Sequence, residues 1–170
     1  MILPIVPYGK NILRKKCVEV SQDYPGLTSI IDNMWATLSS TYGVGLAAPQ
    51  VNLGVRMFII DGDTKKTFIN PYISSYSVET CVMTEGCLSI PGIGEKIQRP
   101  SSINISYFDI DFMEHIEFFD GLDARIIQHE YDHIEGKLFI DYLSGLSKRL
   151  IKSKLNNIMN NNVITKYKML

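Results

Sequence analysis

The chain has 170 residues, 45% hydrophobic and 21% charged, which fits one domain able to bury a core and excludes a disordered or collagen-like chain. Three cysteines are too few, and odd in number, for a disulfide scaffold, so a compact, soluble, reduced protein is expected. Seventeen basic against eighteen acidic side chains leave a net charge of −1 and remove the argument for a nucleic-acid binder. The three cysteines and three histidines are then the scarce reactive groups in which to look for chemistry.

The start, Met1 to Pro7, is apolar but lacks the basic head and length of a signal peptide, and Pro4 and Pro7 would break a helical segment. No run approaches the roughly 18 apolar residues of a membrane span, so a cytoplasmic location without a membrane partner is expected. A first helix follows Pro25-Gly26, capped by Thr28 or Ser29, with Ile30, Ile31, Met34 and Leu38 on one side. Val55 to Ile60 and Lys66 to Ile69 are β-rich runs around the hairpin turn Asp61-Gly62-Asp63, and Asn70-Pro71 starts a further extended stretch through Ile73. Ser102 to Tyr107 alternates like a half-buried strand, with Ile116 to Phe119 as its return partner. Asp120 and Asp123 are placed to accept from the free N–H groups of a second helix, about Leu122 to Glu135, which Gly136 stops. Leu138-Phe139-Ile140 reads as a strand or turn that Asp141 ends. The elements give one domain over 1–170 of α+β class, with mostly antiparallel sheets around a central helix and a C-terminal amphipathic helix.

Charge is unevenly spread. Six of the basic residues and none of the acidic ones lie beyond Asp141, so the first 141 residues carry a net −7. Residues 146–170 form a basic helix and tail, in which Leu146, Leu150, Ile151, Leu155, Ile158 and Met159 have helical spacing. The plain reading is a solvated helix face; the functional one is a cationic surface that touches RNA or another acidic partner.

The most specific segment is Gln128-His129-Glu130-Tyr131-Asp132-His133, which contains H-E-x-x-H. Imidazoles at i and i+4 sit one helical turn apart and can reach a single ion, with Glu130 beside it and free to take a proton from water. The extended H-E-x-x-H-x-x-G-x-x-H pattern fails, because Phe139 stands at its last position. A later glutamate ligand is also excluded, since no acidic residue follows Asp141. Asp141 is itself a conceivable ligand. The best candidate is Cys87, in Glu85-Gly86-Cys87-Leu88-Ser89-Ile90-Pro91-Gly92, a glycine- and proline-bounded stretch that suits a loop close over a site. One thiolate and two imidazoles leave a position for water. Cys17, after Arg14-Lys15-Lys16, reads as a surface thiol, Cys81 as strand or core, and His115 as a solvent-side residue of a polar turn.

Gly43-Val44-Gly45-Leu46-Ala47-Ala48-Pro49-Gln50 imitates a dinucleotide fingerprint, with Asp61 at the end of the next strand. It follows a helix and soon meets Pro49, and no second βαβ unit fits, so nucleotide binding is set aside. A better reading is an accessible backbone against which an extended substrate can lie, ending in the amide of Gln50.

Together, G-V-G-L-A-A-P-Q at 43–50, E-G-C-L-S at 85–89 and Q-H-E-Y-D-H at 128–133 resemble the peptide deformylase family of the bacterial type, over nearly the whole chain. The resemblance implies that Cys87, His129 and His133 bind one divalent metal ion, Fe²⁺ in native enzymes, with Zn²⁺, Ni²⁺ or Co²⁺ as substitutes. It implies hydrolysis of the formyl group from the N-terminal methionine of nascent polypeptides, with release of formate. Glu130 then serves as proton carrier, Gln50 and the Leu88 N–H as oxyanion donors, and the Gly45 backbone as the strand beside the substrate. Gly43 and Gly86 join the substrate-binding set. The methionine pocket is built from Val44, Ile126 and atoms of His129, with Leu122 and Met83 at its margin. Ribosome contact through the basic C-terminal helix is a further implication, with no sequence-specific nucleic acid. Many family members have an arginine where this chain has Gly94, followed by Glu95 and Lys96, which leaves the metal site intact but alters the hold on residues beyond methionine. Other readings of the same motif are a metallopeptidase acting on unmodified peptides and a non-catalytic, metal-stabilised binding module. The latter needs a fourth protein ligand, and none is evident.

Overall fold

The computed structural model describes residues 1–170. Helix α1 (Leu27–Ser39) buries Ile31, Met34 and Leu38 of the predicted stripe, with Leu27 added to it and Ile30 only half-buried at its edge. Its start differs from expectation. Gly26, at φ +71°, holds the N-cap position, and Thr28 and Ser29 fall inside the first turn. The chain enters the helix through a left-handed residue, which glycine adopts without a Cβ clash.

Seven strands follow: β1 (Gly45–Ala47), β2 (Met57–Asp61), β3 (Lys65–Tyr76), β4 (Thr80–Cys87), β5 (Ile90–Pro100), β6 (Ser102–Phe108) and β7 (Glu114–Asp120). Five form one antiparallel sheet in the order β1-β2-β3-β6-β7, and β4 with β5 forms a separate antiparallel hairpin. The chain is thus α+β with antiparallel sheets. Strand β2 is buried on both sides of its pleat: Phe58 and Ile60 belong to the core shared with the second helix, Met57 and Ile59 to the core shared with α1. That is why Met57 to Ile60 reads as an unbroken apolar run. Asn70-Pro71 does not start a new strand but sits at a register shift within β3, where Asn70 takes φ +50°. Its side-chain amide bonds both backbone groups of Val20 at 2.8 Å.

Helix α2 (Gly121–Ile134) has eleven of its fourteen residues buried, so it threads the molecule instead of lying on it, and its polar residues need protein partners. Asp120 does not cap it with its side chain. Asp123 turns the other way: its carboxylate accepts from the N–H groups of Asp63 (2.8 Å) and Thr64 (3.0 Å) and from the Thr64 hydroxyl (2.6 Å), and so holds the β2–β3 turn. A Cβ at Gly62 would run into this carboxylate. Gly136, at φ +75°, ends the helical segment as expected, and a Cβ there would meet the Arg14 carbonyl at 2.7 Å.

Residues 139–142 form a short 3-10 turn, not a strand, and the Asp141 carboxylate accepts from Leu138 N–H and pairs with Arg14. Helix α3 (Gly145–Met159) presses only Ile151, Leu155 and Ile158 onto the β5 core. Leu146, Leu150 and Met159, expected on the packed face, are 68%, 76% and 51% exposed, because the contact stripe runs only through Ile151, Leu155 and Ile158. Cys17 is no surface thiol: it is buried in the core, and burial pushes its thiol up to about 11. No helix is long and apolar enough to cross a membrane.

Asp123→Ala strips three donors of their acceptor. It is expected to lower stability by about 2–3 kcal/mol in urea denaturation, with a smaller loss for Asp123→Asn. An unchanged midpoint would show that the turn holds without this anchor.

Candidate metal centre

The i, i+4 spacing on α2 sets the His129 and His133 rings 5.2 Å apart between centroids. The β4–β5 hairpin packs across the helix and delivers Cys87 at the last position of β4, not from a loop. The ligand atoms of Cys87, His129 and His133 lie within 4.8 Å of one another, with the Cys87 sulfur 3.2 Å from His133 Nε2. No fourth Cys, His, Asp or Glu joins them. One sulfur and two imidazole nitrogens, buried and converging, suit a divalent transition metal with an open position.

The surroundings orient these ligands. Glu85 accepts from His129 Nδ1 at 2.8 Å, which fixes the tautomer and leaves Nε2 for the cluster. The same carboxylate accepts from Arg99 Nε (2.7 Å) and Nη2 (3.0 Å) and from Arg125 Nη1 (2.8 Å). Arg99 also donates to Asp132 at 2.7 Å, and Asp132 accepts from Tyr142 at 3.1 Å. Burial works to raise Glu85, but His129 and Arg99 outweigh it and hold the carboxyl far below its usual range. Burial drives His133 well below the ordinary imidazole value. For His129 burial acts the same way, yet the Cys87 sulfur and Glu85 prevail and raise it.

Glu130 stands apart. It is 4% exposed, and its Oε2 has no hydrogen-bond partner in the protein. Burial pushes its carboxyl up to about 7, aided by Glu85 and opposed by His129. A Cβ at Gly45 would come within 2.5 Å of Glu130 Oε1, so only glycine lets β1 pass this close. Gln50, 1% exposed, accepts from Ala47 N–H through Oε1 at 2.8 Å. That N–H can only donate, so the amide is oriented with Nε2 toward Cys87 Sγ and Ser89 Oγ, both 3.4 Å away.

A cleft of about 680 Å³ opens over the cluster. Gly43, Val44, Gly45, Gly86 and Ile126 line it, as do Gln50, Cys87, Leu88, His129 and Glu130. Leu122 belongs to this lining and Met83 does not: it lies on β4, beyond the wall made by Thr84 to Leu88. Cys81 is tied to Arg125 instead (Sγ to Nη2 3.2 Å). His115 is in β7, not a turn, with Nε2 2.7 Å from Asp109. Two features escape a reading of the sequence. The buried Glu85–Arg99–Asp132 chain is one, signalled only by charged residues at inward strand positions. The other is the C-terminal segment Ile164–Tyr167, which forms part of the cleft wall.

An unpaired buried carboxyl group beside a cysteine sulfur and two imidazoles, open to a cleft, is the arrangement of a hydrolytic metalloenzyme. Residues 2–149 match the polypeptide deformylase family. The peptide deformylase of Christiangramia forsetii is 49% identical, across 99% of this chain and 95% of that protein, and the one of Cytophaga hutchinsonii is 46% identical, across 99% and 97%. The Plasmodium falciparum peptide deformylase in complex with an inhibitor has a TM-score of 0.85 at 38% identity, covering 92% of this chain and 99% of that one. The Thermotoga maritima peptide deformylase gives 0.82 at 38%, covering 85% and 99%. The chain belongs to the polypeptide deformylase family. It is an enzyme of that kind, a hydrolase that removes the formyl group from an N-terminal methionine.

Arg99→Met leaves Asp132 as an uncompensated buried charge and strips two of the four donors from Glu85, which keeps only Arg125 and His129. A loss of about 3–5 kcal/mol in urea denaturation is expected; a loss under about 1 kcal/mol would remove Arg99 from this bridging role.

Proposed function

We propose that residues 1–170 work as one cytoplasmic catalytic unit, built around the H-E-x-x-H helix α2 and closed by the amphipathic helix α3, that deformylates nascent polypeptides. Cys87, His129 and His133 hold one divalent cation, Fe²⁺, with Zn²⁺, Ni²⁺ or Co²⁺ able to replace it. When bound, the cation acts as a Lewis acid toward water and the formyl oxygen. The observation that carries this reading is the orphaned Glu130 oxygen beside the three converging ligands.

Glu130 takes the proton of the attacking water and passes it to the departing methionine nitrogen. A carboxyl that burial holds near 7 can do both near neutral pH. Gln50 Nε2, oriented by Ala47, and the Leu88 backbone N–H donate to the developing oxyanion. Gly45, with Gly43 and Gly86 in the same cleft lining, offers backbone to the extended peptide. Val44, Ile126 and the flank of His129 receive the methionine side chain, with Leu122 at the edge of the pocket. A fourth protein ligand would mark a closed structural site; its absence from the cluster favours catalysis.

Anaerobically purified protein should carry one metal per chain, by elemental analysis, and release formate from a formyl-methionyl peptide. Glu130→Ala is expected to keep the metal and lose at least about a hundredfold in turnover, whereas Cys87→Ala loses the metal itself. Near-normal turnover in the first variant, or stoichiometric metal in the second, would overturn these assignments.

The basic face of α3 is proposed to touch the ribosome. Lys148, Arg149 and Lys152 stand with the exposed Leu146 and Leu150 on its outer side. Co-sedimentation with ribosomes should weaken steeply with salt and fail when the three cations become glutamates. Binding that survives this reversal would leave α3 as a solvated face.

A further inference from the structure

The cleft has a wall that the family match, ending at residue 149, does not supply. After α3 the chain returns to the N-terminal segment. Backbone bonds fix its end against the N-terminal segment, from Ile5 N–H to the Lys168 carbonyl and from Leu170 N–H to the Ile5 carbonyl, both 2.8 Å. The Tyr167 hydroxyl donates to the Leu88 carbonyl at 2.8 Å, so this stretch is tied directly to the segment that carries Cys87. Residues 163 to 168 alternate between half-buried and exposed, and Lys166 faces outward at the rim.

The charges around the cleft single out this lysine. Glu85 and Arg125 neutralise each other below the floor. Glu130 lies buried beside the ligand cluster. Lys166 pairs with no carboxylate; its Nζ rests 5.3 Å from the centre of the Tyr42 ring, which also lines the cleft. An aromatic face holds an ammonium in place without neutralising it. Gly94, also in the lining, brings no side chain.

We propose that Lys166 is a specificity-determining residue that binds the carboxylate of an acidic side chain in the first residues after the methionine, with Tyr42 as its positioning residue. The proposal rests on the deformylase reading: a peptide whose methionine enters beside Ile126 and whose backbone follows Gly43 to Gly45 leaves the cleft past the Tyr42–Lys166 rim. The ammonium attracts an anionic side chain there and repels a cationic one.

The test uses formyl-methionyl tetrapeptide amides with glutamate or lysine scanned through positions two to four; the amide end removes any terminal carboxylate. At one position the glutamate peptide should show a kcat/KM about two- to fivefold above the lysine peptide, the scale of one solvent-reachable ion pair, carried by KM. The ratio should fall to about one in Lys166→Ala, invert in Lys166→Glu, persist in Lys166→Arg and shrink in about 0.5 M salt. Lys168→Ala, on the same segment but outside the lining, should keep the wild-type ratio. Deformylation with equal rates at every position, or a preference that survives Lys166→Ala, overturns the role of Lys166 alone. Failure to deformylate any of the peptides overturns the deformylase reading and this inference with it.

Discussion

The buried carboxylate of Glu85 is the joint on which the site is assembled. It lies on β4, its donors come from α2 and β5, and it accepts four hydrogen bonds of 2.7 to 3.0 Å from His129, Arg99 and Arg125. A carboxylate out of water is tolerable only when its lone pairs are filled in this way. Arg99 carries the chain of charge onward to Asp132, three residues beyond His129 on α2. Hairpin and helix therefore meet through paired ions, while the apolar contacts of Ile90, Ile93 and Ile97 join the hairpin to the Leu138 to Ile140 segment beyond the helix.

The other contacts that α2 needs are set by small residues. Gly45 lets β1 lie against the Glu130 carboxylate, and Gly62 lets the β2–β3 turn close on Asp123. In both places the missing Cβ is what allows a carboxylate to sit beside backbone. The two carboxylates nevertheless differ in fate: Asp123 is filled by three donors, while one oxygen of Glu130 has none. A filled carboxylate anchors; an unfilled one beside metal ligands is available for proton transfer.

Much of this is legible in the sequence. Helical spacing carried His129, Glu130 and His133 to one stripe, and alternation paired β6 with β7. Several of the differences share one cause, the tertiary partner of a side chain. Asp120 and Asp123 both suit an N-cap by type, yet a hairpin 60 residues away claims Asp123. Cys17 follows three cations and looks exposed, but its N–H bonds the Ile134 carbonyl at 2.8 Å and its side chain lies in the core. Arg99 was invisible as a site residue, because local pattern cannot show that an inward charge on β5 meets its opposite on β4. The Ile164–Tyr167 wall was hidden for a similar reason: nothing in an irregular tail signals which cleft it will border.

Retaining so many buried ions asks for a reason beyond stability, since well-packed apolar residues of similar volume often do as well or better. Geometry supplies one. The candidate ligands come from two elements: Cys87 from the hairpin and both histidines from α2. They converge only when the hairpin sits at one height and angle on the helix. Apolar contacts are non-directional and tolerate sliding, whereas a carboxylate shared by two guanidiniums and an imidazole does not. The Glu85 network thus fixes the position of β4 on α2 and the tautomer of His129 in a single set of bonds, and the precision of the three-ligand cluster follows from it.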